Sequence, residues 1–272
     1  MKTPRFIVRS VLASILSCFL AVALPFPSSA QQPDKSTVLK NARQTYYSLK
    51  DEGFSEFRCN MVPDWAYLLQ DQLKADPSSM DAALKKFEEL HFLVTLGLDG
   101  KAQVMHNELT AENDQVAAGL KQIYNGMGQM AEGFFQTWTA YMFSPALPEA
   151  GGDFQLEQSA SEYRITYKEE GSDIATTLSR DYAITSQLVK SPHFEATLKP
   201  AFSKIPKGRI LSGYQATYRG QTAADATDLS VDIAYQEVSG LQIPQEITLA
   251  GSYGGNPFKA KIAFSACQVT KK

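Results

Sequence analysis

The feature that most constrains this chain is a change of hydrophobic period. From Phe154 to the C-terminus, short runs of alternating apolar and polar residues are separated by turn residues. The runs are Tyr163 to Tyr167, Ile174 to Leu178, Tyr182 to Val189, Phe194 to Leu198, Arg209 to Tyr218, Leu229 to Val238, Ile243 to Ala250 and Phe258 to Val269. A period of two puts every second side chain on one face of a strand. About eight such runs with short connections predict a large antiparallel sheet or partial barrel.

Upstream of Phe154 the period is mostly helical. Val38, Leu39, Ala42, Tyr46 and Leu49 predict a first helix over about residues 36–51, stopped by Gly53. A strand over about 54–62 carries Phe57, Cys59 and Met61 on one face. Asp64 caps a second helix with Trp65, Leu68, Leu69 and Leu73 on its apolar side, and Met80, Ala83, Leu84, Phe87 and Leu90 mark a third. His91 to Leu98 and Lys101 to Leu109 form a hairpin about Asp99-Gly100. Pairing Leu98 with Lys101 places Phe92, Val94, Leu96 and Met105 on the core face. It gathers His91, His106 and Glu108 on the polar face.

Residues 113–143 predict one long helix. Val116, Leu120, Ile123, Met127, Met130, Phe134, Trp138 and Tyr141 recur at three and four. Gly119, Gly126, Gly128 and Gly133 each weaken it by about 1 kcal/mol relative to alanine, so a bend or break is expected near 125–128. Helices first and strands after give an α+β fold.

Residues 1–30 read as a cleavable export signal. Lys2, Arg5 and Arg9 precede an uncharged apolar run over 11–24, then Pro25, Pro27 and the small residues Ser28-Ser29-Ala30. The run is too short for a span of about 20 residues. Cys18 raises a lipid-anchor alternative, disfavoured by Leu16 in front of it. Residues 31–272 then form a single domain, periplasmic by this reading. Of 26 basic residues three leave with the signal, so 23 face 29 acidic ones, a net charge of −6. That balance gives no basic face for nucleic acid, and no later segment is long and apolar enough to cross a membrane. Cys59 and Cys267 remain, an even count in an oxidising compartment, and a disulfide between them would staple the first strand to the last.

No motif announces a reaction. His91, His106 and Glu108 lack a metal-site spacing such as HExxH and read as solvated side chains, so no metal and no cofactor is expected. Gly126-x-Gly128-x-x-Ala131 lacks the strand that a dinucleotide loop follows. Gly251-Ser252-Tyr253-Gly254 is a turn rather than a nucleophile elbow. Asp225, Asp228 and Asp232 do not have calcium-loop spacing. The wide aromatic arc of Phe134, Phe135, Trp138, Tyr141, Met142 and Phe143 is a core helix or the lining of an apolar cavity. With Met127, Met130, Trp65 and Leu68, its residues Phe134, Phe135, Trp138 and Tyr141 are the candidate ligand-binding residues.

The order of elements resembles the periplasmic lipoprotein carriers of the LolA/LolB type and related lipid-binding envelope proteins. The stretches Leu198 to Tyr214 (LKPAFSKIPKGRILSGY) and Val238 to Pro244 (VSGLQIP) carry the resemblance, which covers most of residues 36–269. It implies an incomplete β-barrel whose hydrophobic concave face is covered by the N-terminal and central helices and holds acyl chains. The expected function is non-catalytic binding of lipid or lipoprotein acyl chains, in outer-membrane lipoprotein sorting. The alternatives are an envelope interaction protein with a filled core, docking a protein partner, and a hydrolase with a scattered site.

Overall fold

The computed structural model describes residues 34–222 and 226–272, so the expected signal segment, Cys18 and Asp225 lie outside the described residues. Among the described residues, five helices and twelve strands follow in this order: α1 (Lys35–Gln44), β1 (Phe54–Pro63), α2 (Trp65–Leu68), α3 (Gln70–Ala75), α4 (Pro77–Phe87), β2 (Phe92–Gly97), β3 (Ala102–His106), α5 (Asp114–Met142), β4 (Phe154–Gln158), β5 (Glu162–Glu169), β6 (Ser172–Ser179), β7 (Ile184–Lys190), β8 (Glu195–Ile205), β9 (Gly208–Arg219), β10 (Thr227–Val238), β11 (Leu241–Tyr253) and β12 (Asn256–Lys271). No helix among the described residues is long and apolar enough to cross a membrane.

All twelve strands join one antiparallel sheet in the order β3-β2-β1-β12-β11-β10-β9-β8-β7-β6-β5-β4, and the sheet is not closed. The predicted meander is present as β4 to β12, each strand pairing with the next. Its last strand then pairs with β1, from Phe54 opposite Lys271 to Pro63 opposite Ile262. At this seam Cys59 and Cys267 are joined by a disulfide. The register slips between Arg58 and Asn60, so Ala266 and Cys267 oppose Cys59 in a β-bulge, with Ala266 at φ 49°. The two cysteines of the described residues therefore bridge the first and last strands described.

The first helix is shorter than its apolar period predicts. It ends at Gln44, and the Thr45 hydroxyl donates to Ala42 O at 2.8 Å. The next residues run against the sheet instead: Tyr47 N donates to Arg209 O at 2.9 Å and Arg209 N to Thr45 O at 2.8 Å. Gly208 permits this approach, because a Cβ there would lie 2.8 Å from Tyr46 C and Tyr47 N. Tyr46 and Leu49 keep the buried faces that their spacing announced, but outside a helix, Tyr46 in a bridge to Arg209 and Leu49 in a turn. The predicted second helix is split into α2 and α3 at Leu69. Its cap is as expected, with Asp64 Oδ1 accepting from Tyr67 N at 2.9 Å.

The β2–β3 hairpin corrects the expected register by one residue. Leu93 faces Met105 and Phe92 faces His106. The turn is longer than Asp99-Gly100 alone: Gly100 N donates to Gly97 O at 3.1 Å, and Gly100 takes φ 74°. This is a three-residue loop with a left-handed glycine. A slip of one exchanges the two faces of a strand. Met105 is consequently 52% exposed, not core, and His106 lies on the inner side, stacked on Tyr124 at 3.8 Å. The polar cluster of His91, His106 and Glu108 is not formed as expected.

Helix α5 runs unbroken over 29 residues. Asn113 Oδ1 caps it by accepting from Val116 N at 3.0 Å. The expected break near 125–128 does not occur, because Met127 and Ala131 on the same turns are buried and hold it by packing.

Candidate functional site

The apolar side of α5 enters the core as a row of rings. Phe135 lies 5.4 Å from Phe57 of β1 and 5.6 Å from Phe264 of β12. Trp138 packs edge-on against Phe57 at 6.3 Å, and Tyr141 against Phe202 of β8 at 6.0 Å. Edge and tilted pairs at these distances suit the ring quadrupole. Two polar ties fix the C-terminal half of the helix. Trp138 Nε1 donates to Tyr235 Oη at 2.9 Å, and that hydroxyl donates to Leu211 O at 2.6 Å. The Tyr141 hydroxyl donates to Gln187 Oε1 at 3.3 Å, and Gln187 Nε2 donates to Thr176 Oγ1 at 3.3 Å. These bonds satisfy groups whose burial unpaired would be costly.

Burial also governs the tyrosines. Desolvation pushes the Tyr46 and Tyr167 phenols up to about 12 and holds Tyr141, Tyr214 and Tyr235 higher still. Backbone bonds add to the tie at Tyr46, whose hydroxyl donates to Tyr182 O at 3.0 Å and accepts from Ile184 N at 2.6 Å.

Of the eight candidate ligand-binding residues, Met127, Phe134, Phe135, Trp138 and Tyr141 are buried in this row, and Met130 and Leu68 pack half-buried against the same cluster. Trp65 is placed differently. It stacks at an angle on Phe87 at 5.2 Å and on Phe92 at 6.3 Å, and it lines a groove of about 520 Å³. Met61, Val62, Pro63, Phe87, Leu90 and Phe92 complete the apolar lining, with Asn60, Glu88 and His91 at hand. Its volume falls within the ~300–1,000 Å³ of ordinary ligand sites. Phe92 also packs against Tyr124 of α5, with ring centres 6.4 Å apart, so the groove wall touches that helix.

Sequence reasoning named Trp65 but not its companions. Phe87 and Leu90 carry a helical spacing and Met61 and Phe92 a strand phase, which mark burial and not a shared groove. As for metals, His106 Nδ1 stands 3.8 Å from Glu108 Oε1, but among the described residues no group of three His, Cys, Asp or Glu is placed to hold one. Asp228 is engaged by Arg219 at 2.9 Å. The Gly251 to Gly254 stretch forms the end of β11 and its turn. No protein-family model, curated protein or solved structure matches the chain.

Proposed function

We propose that this is a non-catalytic binding protein that takes up lipid, or the acyl chains of lipoproteins, through the Trp65 groove. In this reading the signal segment directs it to the periplasm and is removed, and the role is in outer-membrane lipoprotein sorting. The carrying observation is the groove itself: seven apolar side chains around about 520 Å³, adjoining an aromatic and methionine-bearing interior. Such linings bind acyl chains by burial and adapt through flexible methionines.

The incomplete barrel belongs to the same proposal. A Cβ added at Gly100, in the β2–β3 turn, would meet Thr139 Oγ1 at 3.1 Å, while Tyr141, two residues on, bonds Gln187 of β7. At ~4.8 Å per strand those sheet positions are about 36 Å apart along the surface. A helix about 10–12 Å across bridges them only if the sheet curls around it. This supports α5 as the cover of a concave face, with α1 beside it.

Uptake of a fluorescent fatty acid by delipidated protein tests the reading. Wild type is expected to bind with 1:1 stoichiometry, and Trp65→Ala to bind at least about tenfold more weakly with its circular dichroism unchanged. Absence of uptake, or uptake indifferent to Trp65, overturns it. A second reading has its own observation: Phe135 and Trp138 are 0% exposed, as a filled core requires. An envelope protein that docks a protein partner would show that core and no bound lipid in native mass spectrometry.

A further inference from the structure

The two edges of the sheet are not alike. At the β4 edge, Lys35 of α1 donates from Nζ to Phe154 O at 3.4 Å, places its ammonium 5.0 Å from the Phe154 ring centre, and so occupies an edge carbonyl. The strand itself carries Glu157. At the β3 edge the sequence is Ala102-Gln103-Val104-Met105-His106, without lysine, arginine, acid or proline. Those are the devices that ordinarily keep an open edge from pairing with another chain.

The phase of the ladder identifies the free groups. Asn107 N donates to His91 O at 3.2 Å. In an antiparallel pair the bonded residues alternate, so Gln103 and Met105 bond β2, while Ala102, Val104 and His106 turn N–H and C=O away from it. Among the described residues no bond outside the ladder reaches the backbone of residues 102–106. On the outer face, Met105 stands opposite Leu93, which stands opposite Asn60, with Val62 two residues further along β1. Met105 and Val62 are 52% and 50% exposed, so an apolar patch runs to this edge.

We propose that β3 is a docking edge for a second copy of this chain, paired antiparallel about Val104 on a two-fold axis. The strand is complementary to itself in that arrangement. Val104 meets Val104 of the second copy, Gln103 meets Met105, and Ala102 meets His106, with no like charges opposed. Outward N–H and C=O groups at three positions on each strand then bond across the axis, and the outer apolar patches meet beside it. A two-fold contact of this kind closes on itself and gives a dimer, not a fibre. The proposal does not rest on the lipid-binding reading, although Val62 also lines the Trp65 groove.

Sedimentation velocity of the oxidised protein, from low to high micromolar concentration, tests it. The wild type is expected to pass from monomer to dimer. Gln103→Lys with Met105→Lys sets lysine against lysine twice across the axis, on an outer face where both side chains are exposed. It is expected to raise the dimer dissociation constant at least about tenfold with an unchanged melting temperature. The matched control, Gln155→Lys with Glu157→Lys at the β4 edge, is expected to dimerise as wild type. A wild type that stays monomeric throughout, or a β3 variant that dimerises as well as wild type, overturns the proposal.

Discussion

The glycines of α5 offer the most direct test of how this helix is held. A Cβ built at Gly119, Gly126, Gly128 or Gly133 meets nothing within 4 Å, and none of the four has a positive φ. Neither packing nor backbone geometry therefore calls for glycine. Replacing each by alanine removes an entropic penalty of roughly 0.5–1 kcal/mol. The sites are at least three turns apart at their extremes and share no partners, so the effects should nearly add. The quadruple variant is expected to gain about 2–4 kcal/mol. At roughly 2–4 °C per kcal/mol for a domain of this size, calorimetry should show a melting temperature raised by about 5–15 °C. A rise below about 2 °C would refute the reasoning, since it would mean that α5 does not obey helix propensity at open positions. The same protein bears on function. If acyl chains enter as α5 loosens from the sheet, the stiffened helix takes up a fatty-acid probe more slowly than wild type.

The disulfide closes a loop spanning 208 residues, worth about 5 kcal/mol on the chain-entropy model. Cys59→Ala with Cys267→Ala should therefore lose much of a typical 5–15 kcal/mol stability, read as a large fall in the urea midpoint; equal midpoints would contradict it. On the alkaline side, the buried phenols hold their protons above the unfolded value of about 10. Their stabilising effect is complete below pH ~10 and is lost as pH rises through the folded values near 12. Ionisation of Tyr46 and Tyr167 should thus coincide with unfolding above pH ~10, and phenolate absorbance that develops while the fold persists would contradict that burial.

The alternation after Phe154 and the helical period before it specified strands and helices because each reports which side of a local element meets water. The cysteine pair was legible for a simpler reason: with Cys18 assigned to an export signal, two cysteines in strand-like runs were left to pair. Local signals erred where a neighbour decided. The first helix stops at Gln44 because Tyr46 and Tyr47 gain more from bonding Arg209, Ile184 and Gln242 than from another helical turn. The β2–β3 register followed from the left-handed Gly100, and with it the faces of Met105 and His106, which alternation alone leaves ambiguous by one residue.

The candidate site divides in the same way. The apolar stripe of α5 is written in its sequence, since spacing at three and four fixes which side chains share a face. Whether that face closes on a sheet or lines a space is not, because both outcomes use the same residues. Tertiary structure seats Phe135 and Trp138 among Phe57 and Phe264, and leaves the open volume beside Trp65, where β1, β2, α2 and α4 converge. A groove is a property of several elements at once, and no single stretch of sequence carries it.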